Sequence, residues 1–69
     1  MILLKDALAQ ARRERGLTQE ELAARLYITR QAVSRWETGA TEPGIDMIKL
    51  IARELEVPVM RLLDMPEHY

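Results

Sequence analysis

The sequence predicts a compact all-α bundle of five short helices, and two observations favour this fold class. The chain of 69 residues contains no phenylalanine and only three glycines and three prolines, and residues that favour helices dominate the remainder. Apolar residues recur at helical spacing along most of the chain. Cysteine is absent, so no disulfide or thiolate metal site can hold the core together. A chain of this length forms one domain, and efficient apolar packing must stabilise its small core.

The first predicted helix covers about residues 3–15. Leu4, Leu8 and Ala11 form one apolar stripe, and charged side chains occupy the other faces. Gly16 then supplies the positive φ that commonly ends a helix. The end of this helix is therefore well defined by the sequence.

Two shorter helices follow in close succession. Thr18 and Glu21 have the spacing of a capping box, which predicts a second helix over 19–26. Thr29 is placed to cap a third helix that ends at Gly39. Only two residues separate the second helix from Thr29, so the turn between the two helices is tight.

A loop and two more helices complete the prediction. Residues 39–44 form the loop, because Pro43 disfavours helix at the residue before it and glycines stand at both ends. Apolar spacing predicts a fourth helix over 45–55, whose apolar stripe begins at Ile45. Pro58 suits the first position of a fifth helix, over about 58–64.

The predicted domain comprises residues 1–64, followed by a tail at 65–69. No apolar run approaches the ~20 residues of a membrane span, so we expect a soluble protein without membrane contact. Lys5 interrupts the apolar start of the chain far short of a secretory signal, and we expect a cytoplasmic location. His68 is the only histidine, and we interpret it as an exposed tail residue and not as a metal ligand.

Two short helices joined by a tight turn form the helix-turn-helix pattern, here at residues 19–38. Val33 and Trp36 are spaced to face the interior. The outer face of the third helix carries Arg30, Gln31, Ser34, Arg35 and Thr38. Arginine can bind guanine O6 and N7, glutamine can bind adenine N6 and N7, and serine or threonine can contact bases or phosphates. Two arginines on a helix usually form an ordinary solvated face, but the surrounding motif favours contact with DNA.

In this motif and its surroundings, the sequence resembles the phage Cro and lambda-type repressor helix-turn-helix proteins, also called the xenobiotic-response-element type. The resemblance covers about residues 3–64, and the segments that carry it are 16–23, 29–39 and 43–63. It implies a five-helix bundle and a prokaryotic or phage-type transcriptional regulator that binds double-stranded DNA in a sequence-specific way. We expect a repressor that occupies an operator.

The resemblance also implies roles for individual residues. The positions that contact bases are Arg30, Gln31 and Arg35, with Ser34 beside them, and the positions that contact phosphates are Gln19, Thr29 and Thr38. Arg12 and Glu37 are placed as a structural ion pair between the first and third helices. Two places depart from the family pattern: Tyr27 stands where the turn most often has glycine, and Ala40-Thr41-Glu42 stand where lysine or arginine is common.

The net charge of −1 is the main argument against DNA binding, because cations supply most of the nonspecific affinity. The charge is unevenly distributed. Residues 1–38 hold seven basic and five acidic groups, a balance of +2, while residues 39–69 hold three and six, a balance of −3. The positive half contains the helix-turn-helix.

Two other classes of function are alternatives to DNA binding. A protein-interaction module, such as an antitoxin-like or adaptor domain, could use the same bundle to hold a partner protein. An enzyme is the least supported class, since the sequence contains no recognisable catalytic set, metal set or phosphate loop, and it indicates no cofactor or small-molecule ligand.

A homodimer on a palindromic site is expected, because one module of this size buries only about 600–1,000 Å² on DNA. Its half-sites should lie ~10 base pairs apart. The expected dimer contact is the fifth helix and the tail, with Met60, Leu63 and Met65.

Overall fold

The structure of the protein is a computed structural model that describes residues 3–63. Its five α-helices are α1 (Leu4–Glu14), α2 (Gln19–Leu26), α3 (Arg30–Thr38), α4 (Ile45–Leu55) and α5 (Val59–Leu63). The all-α prediction is confirmed, and no strand occurs in the described range. The second, third and fourth helices have the predicted bounds, the first is one residue shorter at each end, and the fifth begins one residue later than predicted. Asp64 and the tail at 65–69, which includes Met65 and His68, lie outside the described residues.

The helix-turn-helix begins with the predicted capping box. Thr18 Oγ1 accepts a hydrogen bond from the Glu21 amide at 3.0 Å, and Glu21 Oε1 accepts one from the Thr18 amide at 2.8 Å. These bonds hold the pKa of Glu21 below its ordinary value. Thr29 Oγ1 accepts from the Ala32 amide at 3.2 Å and caps α3 in the same way.

The first four helices end in one common way. Each is followed by a residue in the left-handed region, and these residues are Gly16 (φ 71°), Tyr27 (φ 58°), Gly39 (φ 83°) and Glu56 (φ 57°). The next amide then donates to the carbonyl five residues back, as from Ile28 to Ala23 at 3.0 Å. Tyr27 therefore gives the turn the backbone that glycine would give, at a strain of about 1–2 kcal/mol.

Every helix contributes a fully buried side chain to one core. These side chains are Leu8 from α1, Leu22 from α2, Val33 from α3, Leu55 from α4 and Leu62 from α5. Ala23 is also buried, and its small side chain allows α2 and α3 to pack closely. Trp36 packs against this core and is half-buried, as its spacing predicts.

One core prediction is wrong. Ile45 was expected to begin the apolar stripe of α4, but its side chain is 54% exposed. It is the first residue of the helix and lies one turn before Ile48, which is buried and begins the covered part of the stripe.

Among residues 3–63, every helix falls short of the length and apolar character that a membrane span requires.

Candidate nucleic-acid interface

The two sides of α3 differ in burial and in chemistry. Val33 is fully buried and Trp36 packs against the core, so the inner side fixes the helix on the bundle. Arg30, Gln31 and Arg35 are exposed, and Ser34 beside them is half-buried. The four predicted base-contacting residues therefore lie on one accessible surface, which we call the α3 face.

The arginines of the helix-turn-helix are exposed and are not neutralised by a direct ion pair. Arg25, Arg30 and Arg35 are exposed, and none of them forms an ion pair with a carboxylate within residues 3–63. The chain has no acidic residue between Glu21 and Glu37. Positive charge is thus available on this part of the surface although the whole protein is slightly acidic.

The ion-paired arginines lie elsewhere. Arg15 pairs with Glu56, and Arg61 pairs with Glu14 at 2.6 Å, and both pairs are substantially exposed. They connect the end of α1 to the segment after α4 and to α5. Such pairs contribute only about 0–1 kcal/mol each.

Arg12 and Glu37 form a bidentate ion pair in the interior. Arg12 Nε lies 2.6 Å from Glu37 Oε2, and Nη2 lies 2.9 Å from Oε1. Arg12 Nη1 also donates to the Leu17 carbonyl at 2.7 Å. The side chains of Arg12 and Glu37 are only 10% and 6% exposed. The pair joins α1 to the end of α3, where the resemblance to known regulators places it.

Both ionisation states follow from this contact. Burial acts to raise the pKa of Glu37, but hydrogen bonds from Arg12 and Gln19 and the positive charge of Arg12 outweigh it, so the pKa lies below its ordinary value. The hydrogen bond to Glu37 raises the pKa of Arg12 against the opposing effect of burial. The pair is therefore fully charged at neutral pH.

Gln19 makes a contact that the sequence did not reveal. Its Nε2 donates to Glu37 Oε1 at 3.0 Å, so the start of α2 is tied to the end of α3. One amide proton of Nε2 is used in this bond, and the other is still available to a phosphate. Gln19 also lines an open groove of about 550 Å³ with Arg12, Thr18, Glu20 and Arg30.

The two threonines predicted to contact phosphates differ in their bonding. The Thr29 hydroxyl only accepts, from the Ala32 amide, and its own proton is available to a phosphate oxygen. The Thr38 hydroxyl donates to the Arg35 carbonyl at 3.1 Å. It must break that bond before it can donate to DNA, so Thr29 is the better placed of the two.

Comparisons with known proteins bear on this arrangement. A family model described as Helix-turn-helix matches residues 8–62. The HTH-type transcriptional activator BcrR of Enterococcus faecalis is 40% identical over 58 residues, which are 84% of this chain and 28% of BcrR. The chain thus spans much less than the full length of that relative. An uncharacterised HTH-type transcriptional regulator of Methanothermobacter thermautotrophicus is 40% identical over 52 residues, 75% of each chain.

Two solved structures are similar to this one. The P22 c2 repressor, in complex with a synthetic operator, matches with a TM-score of 0.82 at 21% identity, over 90% of this chain and 94% of the repressor chain. A hypothetical transcription factor, NHTF from Neisseria, matches with a TM-score of 0.82 at 30% identity, over 93% of this chain and 72% of the other. At 21% identity, the similarity to the repressor shows a shared fold only.

Proposed function

This chain belongs to the helix-turn-helix family, and we propose on that basis that it is a transcriptional regulator that binds double-stranded DNA in a sequence-specific way. The observation that carries this proposal is the α3 face, where Arg30, Gln31 and Arg35 are exposed on a helix fixed to the core. Their donors match the base edges of the major groove. The exposed arginines of the helix-turn-helix add attraction for phosphates.

In the proposed complex, α3 lies in the major groove and α2 crosses the backbone. Arg30, Gln31 and Arg35 contact base edges, with Ser34 at the margin of the contact. Gln19 and Thr29 donate to phosphates, since each has a proton that the protein does not use. Thr38 contacts a phosphate once it gives up its bond to Arg35.

A salt series with DNA duplexes separates this proposal from the alternative, a protein-interaction module. The probes are a duplex enriched from a random pool by the protein and a mixed-sequence duplex of equal length. We expect binding to both at low salt and a preference for the enriched duplex. The logarithm of the association constant should fall linearly with the logarithm of the salt concentration, with a slope of about −0.9 for each phosphate neutralised. An absence of duplex binding at low salt would favour the protein-interaction module.

Replacing Gln19 by alanine is expected to weaken binding to the enriched and the mixed-sequence duplex by similar factors. A phosphate contact made at the first turn of a helix does not depend on the base sequence, so the loss of affinity should be the same on both duplexes. Gln10→Ala is a matched control, because Gln10 is exposed on α1, outside the helix-turn-helix. A loss confined to the enriched duplex would assign Gln19 to base recognition.

We further propose that the regulator acts as a repressor, by occupying a site that the transcription machinery also needs. A protein bound to such a site excludes other proteins from it. Transcription in vitro from a promoter that overlaps the enriched sequence should therefore fall when the protein is added. A rise in transcript from that promoter would contradict repression.

A homodimer is the proposed DNA-bound form. Met60 on α5 is 51% exposed, and Leu63 on the same helix is half-buried, so α5 offers apolar surface away from the α3 face. Sedimentation with a palindromic duplex should show two chains on one duplex, with half-sites ~10 base pairs apart. A single chain bound to an isolated half-site with full affinity would contradict the dimer.

A further inference from the structure

Tyr27 combines two unfavourable features. Its backbone lies in the left-handed region, at φ 58° and ψ 40°, where a side chain is strained. Its side chain is 96% exposed, so packing does not offset that strain. Glu56 shares this backbone, so what makes Tyr27 a candidate for a contact outside the chain is its almost fully exposed aromatic ring within the helix-turn-helix.

The place of Tyr27 in the chain indicates what it contacts. It stands three residues before Arg30, so the two Cα atoms are at most about 11 Å apart. The major groove is about 12 Å wide, so with Arg30 at the bases, Tyr27 lies within reach of the sugar-phosphate backbone at the groove edge.

The charge around Tyr27 selects the same partner. Arg25 precedes it and Arg30 follows it, and both are exposed and form no ion pair among the described residues. A surface with this charge favours a polyanion over an apolar or basic protein.

We propose that Tyr27 is a further DNA contact, whose phenol hydroxyl donates a hydrogen bond to a phosphate oxygen at the edge of the groove that α3 enters. Tyrosine is among the side chains that donate to phosphates, and phosphate oxygens can only accept. The ring has few rotatable bonds, so ordering it on DNA costs little entropy. This inference rests on the proposed DNA-binding function.

Tyr27→Phe and Tyr27→Gly test the inference through two measurements on each protein. Affinity for the enriched duplex and for the mixed-sequence duplex should fall by about three- to tenfold in both variants, the effect of one hydrogen bond. The loss should be the same on both duplexes, because a phosphate contact is independent of sequence. The melting temperature of Tyr27→Gly should stay equal or rise, since glycine adopts the left-handed region without strain.

Glu56→Gly is the matched control. Glu56 has the same left-handed conformation after α4, at φ 57°, and it lies outside the helix-turn-helix. Its replacement relieves similar strain and removes a negative charge, so it should cause no loss of affinity for DNA. A loss in Tyr27→Gly that Glu56→Gly does not share then belongs to the position of Tyr27.

Unchanged binding by both Tyr27 variants, alongside weaker binding by Arg30→Ala, would overturn the inference and leave the proposed function in place. Full binding by Tyr27→Phe with a loss only in Tyr27→Gly would show that the hydroxyl makes no contact with DNA. A loss confined to the enriched duplex would show a base contact and contradict the phosphate assignment. Failure of the unaltered protein to bind either duplex would overturn both proposals.

Discussion

Glu37→Ala is expected to lower the free energy of unfolding by about 3–5 kcal/mol, because it leaves the buried Arg12 guanidinium without its carboxylate. After the change, Arg12 keeps only the Leu17 carbonyl as an acceptor within residues 3–63. At about 0.05–0.15 kcal/mol per residue, the whole domain has a stability of only about 3–10 kcal/mol. A fall in melting temperature of at least about 12 °C should follow, measured by circular dichroism.

Two further variants decide whether the ion pair itself causes the loss. Arg12→Ala should destabilise to a similar extent, and the double variant should lose clearly less than the sum of the two. Glu14→Ala is the matched control, because the pair of Glu14 with Arg61 is exposed and contributes about 0–1 kcal/mol. Small, additive losses from Arg12→Ala and Glu37→Ala would show two independent charges and contradict a buried pair.

The lowered pKa of Glu37 makes the stability contributed by this ion pair depend on pH. A carboxyl whose pKa is lower in the folded than in the unfolded state stabilises the fold at pH values above its unfolded pKa. That stabilisation is present at neutral pH and is lost as the pH falls through the lowered pKa of the folded state. Acid should therefore destabilise the unaltered protein more than it destabilises Glu37→Gln.

Arg30→Ala and Gln31→Ala are each expected to weaken binding to the enriched duplex by about 1–3 kcal/mol, roughly five- to 150-fold. Both side chains are exposed, and their removal should leave the melting temperature almost unchanged. Binding to the mixed-sequence duplex should change much less, because in the proposed complex each side chain contacts base edges. Fluorescence anisotropy on the two duplexes measures the difference.

Arg53→Ala is the control for the loss of a positive charge. Arg53 is exposed on α4 and forms no ion pair among the described residues, and it lies outside the helix-turn-helix. The Arg53→Ala variant should bind both duplexes with almost the same affinity as the unaltered protein. Equal losses on both duplexes from Arg30→Ala or Gln31→Ala would assign those residues to nonspecific attraction and not to base recognition.

Local chemistry made most of the fold predictable from sequence. Thr18 and Thr29 mark helix starts through their hydroxyls, and Gly16 and Gly39 mark helix ends through their freedom at positive φ. Glu56 also ends a helix in the left-handed region, but nothing in the chemistry of glutamate indicates this. The turn there is closed by the hydrogen bond from the Val57 amide to the Ala52 carbonyl, and Val57 packs against the core, a contact that a single sequence does not display.

The candidate site was predictable only in part, for a related reason. Periodicity separates the exposed Arg30 and Gln31 from the buried Val33, because one helix determines all three. The bond from Gln19 to Glu37 depends on how α2 crosses α3, and no local pattern encodes that crossing.

Methylation of the enriched duplex by dimethyl sulfate tests most directly whether the α3 face reads the major groove. Guanine N7 lies in the major groove and adenine N3 in the minor groove, so the reagent reports on both. The unaltered protein should protect guanine N7 at contacted positions and leave adenine N3 reactive, and Arg30→Ala should lose protection at one guanine. Protection of adenine N3 with guanine N7 fully reactive would contradict recognition by α3 in the major groove.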